Sequence, residues 1–156
     1  MENTMKINKI SFQLGMINCF AEMVACGVKK LAISPPLKPE DYEKISRFSD
    51  EIVKGFGIQS YLEKSLLITD LQSAEFTQGK WSILYFEKED VLKKYLDLKE
   101  KKQKLVTLGQ YDLKARKDIS REFMRLLSYQ DEKIEEKLSL KIPKDPYIIS
   151  LDEKNA

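Results

Sequence analysis

Ser11 to Ser34, SFQLGMINCFAEMVACGVKKLAIS, decides the fold class, because it reads as a helix, a glycine stop and a buried strand in immediate succession. Wound at about 100° per residue, Phe12, Met16, Ile17, Phe20, Met23 and Val24 form a wide apolar arc, while Ser11, Gly15, Asn18, Glu22 and Cys26 fall on a narrow opposite stripe. Ser11 suits the N-cap and Gly27 the C′ position, so the helix should end near Cys26. Val28 to Ser34 then becomes a short run with Leu31, Ala32 and Ile33 consecutive and apolar, as in a strand covered on both faces. Pro35 and Pro36 stop it, since neither can donate to a ladder.

Downstream, Pro39 at a first-turn position followed by Glu40, Asp41 and Glu43 predicts a second helix, with Tyr42, Ile45, Phe48, Ile52 and Val53 on its apolar side up to Gly55 and Gly57. Residues 58 to 65 read either as a last turn or as the approach to a strand. Leu66 to Leu71 (LLITDL) and Trp81 to Phe86 (WSILYF) read as strands. If so, the second helix is the crossover of a parallel βαβ unit, and the third strand returns antiparallel. Glu87 to Leu105 predicts a third helix, and Asp112 to Leu138 a long fourth, with Asp118 as a possible break. Tyr147 to Leu151 is an apolar patch expected to dock as an edge strand or against a neighbour, followed by a mobile tail over 152–156.

The resulting fold class is α/β (or α+β): a single domain over 1–151, with a small mixed sheet of three or four strands packed by about four helices in the order αβαββαα. The alternative is mainly helical with one β-hairpin, and requires the first helix to continue through Gly27 to Leu31. A chain of 156 residues, 42% of them hydrophobic, can bury one real core.

Composition narrows function by exclusion. There is no histidine, which removes the commonest general base and the commonest transition-metal ligand. Cys19 and Cys26, seven positions apart on one helix, lie about 10.5 Å apart along its axis and cannot bridge each other. They read as free buried thiols of a reducing cytoplasm. Lys6 and Lys9 precede an apolar stretch, but Gln13, Asn18 and Glu22 interrupt any secretory core, so a soluble cytoplasmic protein is expected. The net charge of +2 gives no global push toward nucleic acid or membrane.

Three candidate sites follow. On the polar stripe of the first helix, Asn18 and Glu22 are one turn apart, and a carboxylate walled by Met and Phe is a candidate acid or base. A stripe of Ser, Gly, Asn and Glu reads better as a solvent face, and no metal is expected. At the carboxyl ends of the presumed parallel strands, Ser34, Thr69 and Asp70 are candidate ligand-binding residues, with Asp70 also a candidate catalytic base. Third, Lys93, Lys94, Lys99, Lys101, Lys102, Lys104, Lys114, Arg116, Lys117, Arg121 and Arg125 form a basic segment, but the interleaved carboxylates and the lack of any recognition signature speak against nucleic acid. Gly55-Phe56-Gly57 lacks the context of a dinucleotide loop, and no cofactor is expected. Phe76 sits in the long 72–80 connection, a place for a subunit contact or for folding back onto the core.

Two functional readings remain. One is a non-catalytic regulatory or interaction module, homo-oligomeric through the long fourth helix and the tail. The other is a small-ligand-binding protein or enzyme, with a pocket between the strand ends and the first helix that gathers Asp70, Ser34 and Glu22.

Overall fold

Gly27, at φ 79°, ends the first helix at the position its missing Cβ favours. The computed structural model describes residues 6–147, in which helix α1 spans Lys9–Ala25. Its N-cap is Asn8 rather than Ser11: the Asn8 side chain accepts from the Ser11 amide at 2.9 Å. Strand β1 (Leu31–Ile33), helix α2 (Pro39–Phe56) and strand β2 (Gln59–Glu63) follow. Pro39 sits in the first turn of α2, and Gly57, at φ 68°, is its left-handed cap. A one-turn helix α3 (Ala74–Thr77) leads to strand β3 (Ser82–Phe86), and the chain closes with α4 (Glu89–Thr107), α5 (Leu113–Leu126) and α6 (Asp131–Leu138).

The protein is a single mixed α/β domain, and its sheet has the order β1-β3-β2 with both pairings antiparallel. The expected parallel pairing is therefore corrected. β1 and β2 run in the same direction across the α2 crossover, but β3 is inserted between them. Every residue of β3 is buried, and its side chains alternate between two cores. Ile83 and Tyr85 join Ala32 in a cluster with Ile17, Ala21 and Val24 of α1 and Ile45 of α2. Leu84 and Phe86 join Leu31 in a cluster with Tyr95, Ile119, Phe123 and Ile134 from α4, α5 and α6. The sheet is thus a central layer with helices on both faces.

The second expected strand is displaced. LLITDL is irregular, and β2 is the preceding QSYLE, the stretch whose sequence left helix and strand both open. The physical reason lies in where the backbone groups of 65–71 find partners. The amide of Leu67 donates to the Tyr95 hydroxyl at 3.0 Å, and that of Asp70 to Ser120 Oγ at 3.0 Å. Lys99 and Lys102 donate to the carbonyls of Ser65 and Ile68, each at 2.7 Å. Side chains of α4 and α5 replace a neighbouring strand, while Leu66, Leu67 and Leu71 are buried.

The long fourth helix is also corrected to two. The chain breaks after α5, not at Asp118, and Ser128 takes φ 68° in the turn to α6. Ser128 Oγ accepts the Lys30 amide at 2.9 Å, which ties this turn to the entry of β1. On α1 the buried face is Gln13, Ile17, Ala21 and Val24, so the arc is rotated relative to expectation and Met23 is exposed. Of the apolar tail patch only Tyr147 is among the described residues; 148–151, like the expected tail 152–156, lie outside them. No helix among the described residues is long and apolar enough to cross a membrane.

Candidate functional site

The three predicted sites separate in space. Asn18, Cys19, Glu22 and Cys26 are all exposed, so the polar stripe of α1 faces solvent and its thiols are not buried. Ser34 is buried, but its hydroxyl is occupied: it accepts the Ile83 amide at 2.8 Å and donates to the Pro35 carbonyl at 3.0 Å, closing the end of the β1–β3 ladder. Thr69 is buried as well, and its Oγ1 accepts the Leu71 amide at 3.2 Å. Asp70 is held between Arg116 Nη2 at 3.2 Å and the Ser120 hydroxyl, which donates to it at 3.1 Å. A carboxylate so bound organises the 66–71 segment. Glu22 lines neither the cavity that holds Ser34 nor the cleft that holds Asp70.

Thr69 and Asp70 do come together, in a broad cleft of about 590 Å³ whose wall also carries Lys102, Tyr111, Arg116 and Lys117. Along the basic segment, Lys93 pairs with Asp97 at 2.7 Å, Lys104 with Glu100 at 2.7 Å and Lys101 with Glu122 at 2.6 Å. Arg121 and Arg125 bind Glu135 at 2.7 Å and Asp131 at 2.9 Å. Its positive charge is largely neutralised by neighbours. Among the described residues no group of three His, Cys, Asp or Glu is placed to hold a metal ion.

A smaller cavity of about 230 Å³ lies at the carboxyl end of β1 beside α1, with Phe20 and Ser34 in its lining. It adjoins one of the two strand ends considered from the sequence, but the parallel pairing that was to bring them together does not form, and Ser34 is the only predicted site residue in it. Its remaining walls are mostly apolar, among them Ile33, Leu66, Leu71 and Leu127, with Ser82, Gln72, Tyr129 and Lys29 as polar members. Lys29 reaches it from the turn between α1 and β1. Its Nζ donates to the Leu127 carbonyl at 2.8 Å and lies 5.5 Å from the centre of the Tyr129 ring. Leu127 caps α5, so that carbonyl is one of those a helix end leaves open. Burial lowers the Lys29 pKa.

Tyr147 closes another side. Its ring stacks on Phe76 of α3 with centroids 5.8 Å apart, and its hydroxyl points to the Ile33 carbonyl at 3.5 Å. Burial pushes the phenols of Tyr147 and Tyr129 up, so both are neutral donors at physiological pH. Phe76 therefore folds back within the chain, and the start of the tail patch docks against it.

Sequence reasoning missed Lys29, Ser82 and Tyr129. The one available signal was a lysine pair, Lys29-Lys30, at the mouth of a buried strand; its partners at Leu127 and Ser128 stand 98 residues away.

In comparisons with known proteins the chain matches no family model, no curated protein and no solved structure.

Proposed function

We propose that this protein binds a small organic molecule in the cavity at the end of β1. The observation that carries the reading is a recess of about 230 Å³, apolar over most of its wall, on which a few polar groups converge from the α1–β1 turn, β3 and the α5–α6 turn. A site of this composition holds a ligand by its apolar body and orients it by the polar members. Amide chemical shifts under titration with a fragment library test it. Hits should move the amides of Ser34, Leu71 and Ser82 before those of the exposed face of α1. A library that leaves the cavity amides unmoved removes the reading.

A second reading, a non-catalytic regulatory or interaction module forming homodimers, draws on a different surface. Val106, Leu108 and Leu113 stand 48%, 67% and 60% exposed around the α4–α5 connection, a cluster of apolar side chains that association would cover. Light scattering at micromolar concentration separates the 18.2 kDa monomer from a dimer. In either reading two accessible thiols suit a reducing cytoplasm.

A further inference from the structure

The cavity reading leaves the chemistry of the ligand open, and the lining itself narrows it. Among the described residues one charged side chain, Lys29, contributes to the wall, and no carboxylate does. Among the described residues the Lys29 ammonium has a single hydrogen bond, to the Leu127 carbonyl at 2.8 Å, and no ion pair. An ammonium has three donors, so two remain. A half-buried cation with no counter-charge among the described residues is a costly arrangement in an apolar wall, and that cost falls when an anion takes up the remaining donors. The Tyr129 face, 5.5 Å from Nζ, offsets part of the desolvation but supplies no acceptor for those protons.

Volume sets the scale of the part of a ligand that the recess holds. An engineered cavity of about 150 Å³ holds benzene, with its six heavy atoms, so 230 Å³ admits roughly nine. Phe20, Leu66 and Leu71 offer that body only apolar surface, while Ser82 and Tyr129 bring hydroxyls to the same wall.

Resting on the binding reading above, we infer that the cavity takes a small organic carboxylate of roughly benzoate or hexanoate size, its acid group on Lys29 Nζ and its apolar body against Phe20, Leu66 and Leu71. The charge, not the ring or chain, provides the selectivity.

Calorimetric titration of the whole protein with benzoate and hexanoate, beside their neutral isosteres benzamide and hexanamide, decides it. The acids should bind at least ~10-fold more tightly than the amides, the scale of a charge-assisted hydrogen bond. Lys29→Met should abolish the preference, so that acids and amides bind alike. Lys29→Arg, which keeps the charge, should retain the preference for acids, and the comparison in the unaltered protein needs no variant to fold. Acids and amides binding equally, with the cavity amides shifting, would overturn the carboxylate inference and leave the binding site standing. Neither series binding, with silence across the fragment library, would remove both.

Discussion

The Tyr95 hydroxyl donates to Glu63 Oε2 at 2.9 Å while accepting the Leu67 amide at 3.0 Å, so one phenol joins the end of β2 to the irregular 65–71 segment. Glu63 is itself buried, and its other oxygen accepts the Ser65 amide at 2.9 Å, with Lys99 Nζ at 2.8 Å on the first. Tyr95→Phe keeps the ring in the core and strands a buried amide. The expected cost is about 1–3 kcal/mol, read as a lower urea midpoint at unchanged slope. Tyr61→Phe, on the exposed side of β2, should stay within about 0.5 kcal/mol of the parent. Equal stability of the two variants would show that the Tyr95 bonds do not form.

Alkaline pH should unfold the protein steeply. Burial holds the phenols of Tyr85, Tyr95 and Tyr147 protonated well above the ordinary tyrosine range, whereas the unfolded chain ionises them near pH ~10. Above that pH the folded state binds more protons than the unfolded one, so stability is complete below it and falls as pH rises. Lys29 and Lys102, lowered mainly by burial, act in the opposite sense, but only below the ordinary lysine value of 10.5. Each buried phenol adds about 1.4 kcal/mol per pH unit to the decline. Urea midpoints at pH 10 to 11.5 should fall accordingly, and more gently in Tyr85→Phe, whose phenol shares a 2.9 Å bond with Ser49. A flat profile to pH 11.5 would refute the burial of these hydroxyls.

What was legible in the sequence follows from the range of the interactions concerned. WSILYF announced a strand because its apolar residues enter two different cores in alternation, and Pro39 with Gly57 bounded α2 because both act through their own backbone. LLITDL misled because a strand and a segment pinned by Tyr95, Lys99, Lys102 and Ser120 look the same to a local window. The partners that take its backbone groups come from up to 50 residues away. On α1 the apolar residues cover so much of the circumference that period alone could not orient it, and small Ala21 rather than Met23 faces α2 and the sheet. Of the cavity lining Ser34 alone was named, through a strand-end argument that rested on a parallel pairing that does not form, and the cation there gains meaning from Leu127 and Tyr129 beside it.

Both cysteines should react in the native state. Cys19 and Cys26 are exposed on α1, and only a weak Cys26 Sγ contact to the Met23 carbonyl at 3.7 Å restrains either. A thiol reagent should titrate two groups per chain without denaturant, and the reduced protein should show no mass loss of an internal disulfide on standing in air. One or no reactive thiol in the folded chain would place part of this α1 face against another surface.

The same substitution at two glycines should act in opposite directions. Gly15 lies inside α1, exposed, and a Cβ built there meets nothing within 4 Å. Gly15→Ala should therefore stabilise by about 0.5–1 kcal/mol, the gain from restricting the unfolded chain and from alanine's helix preference. Gly57 has equal room around it, but it carries φ 68° at the end of α2. There alanine has to adopt the left-handed region, so Gly57→Ala should cost about 1–2 kcal/mol with no steric clash to blame. Melting temperatures measured side by side provide the check. A loss at Gly15 would mean that α1 does not run unbroken through it, and neutrality at Gly57 would mean that the α2–β2 turn can relax to another cap.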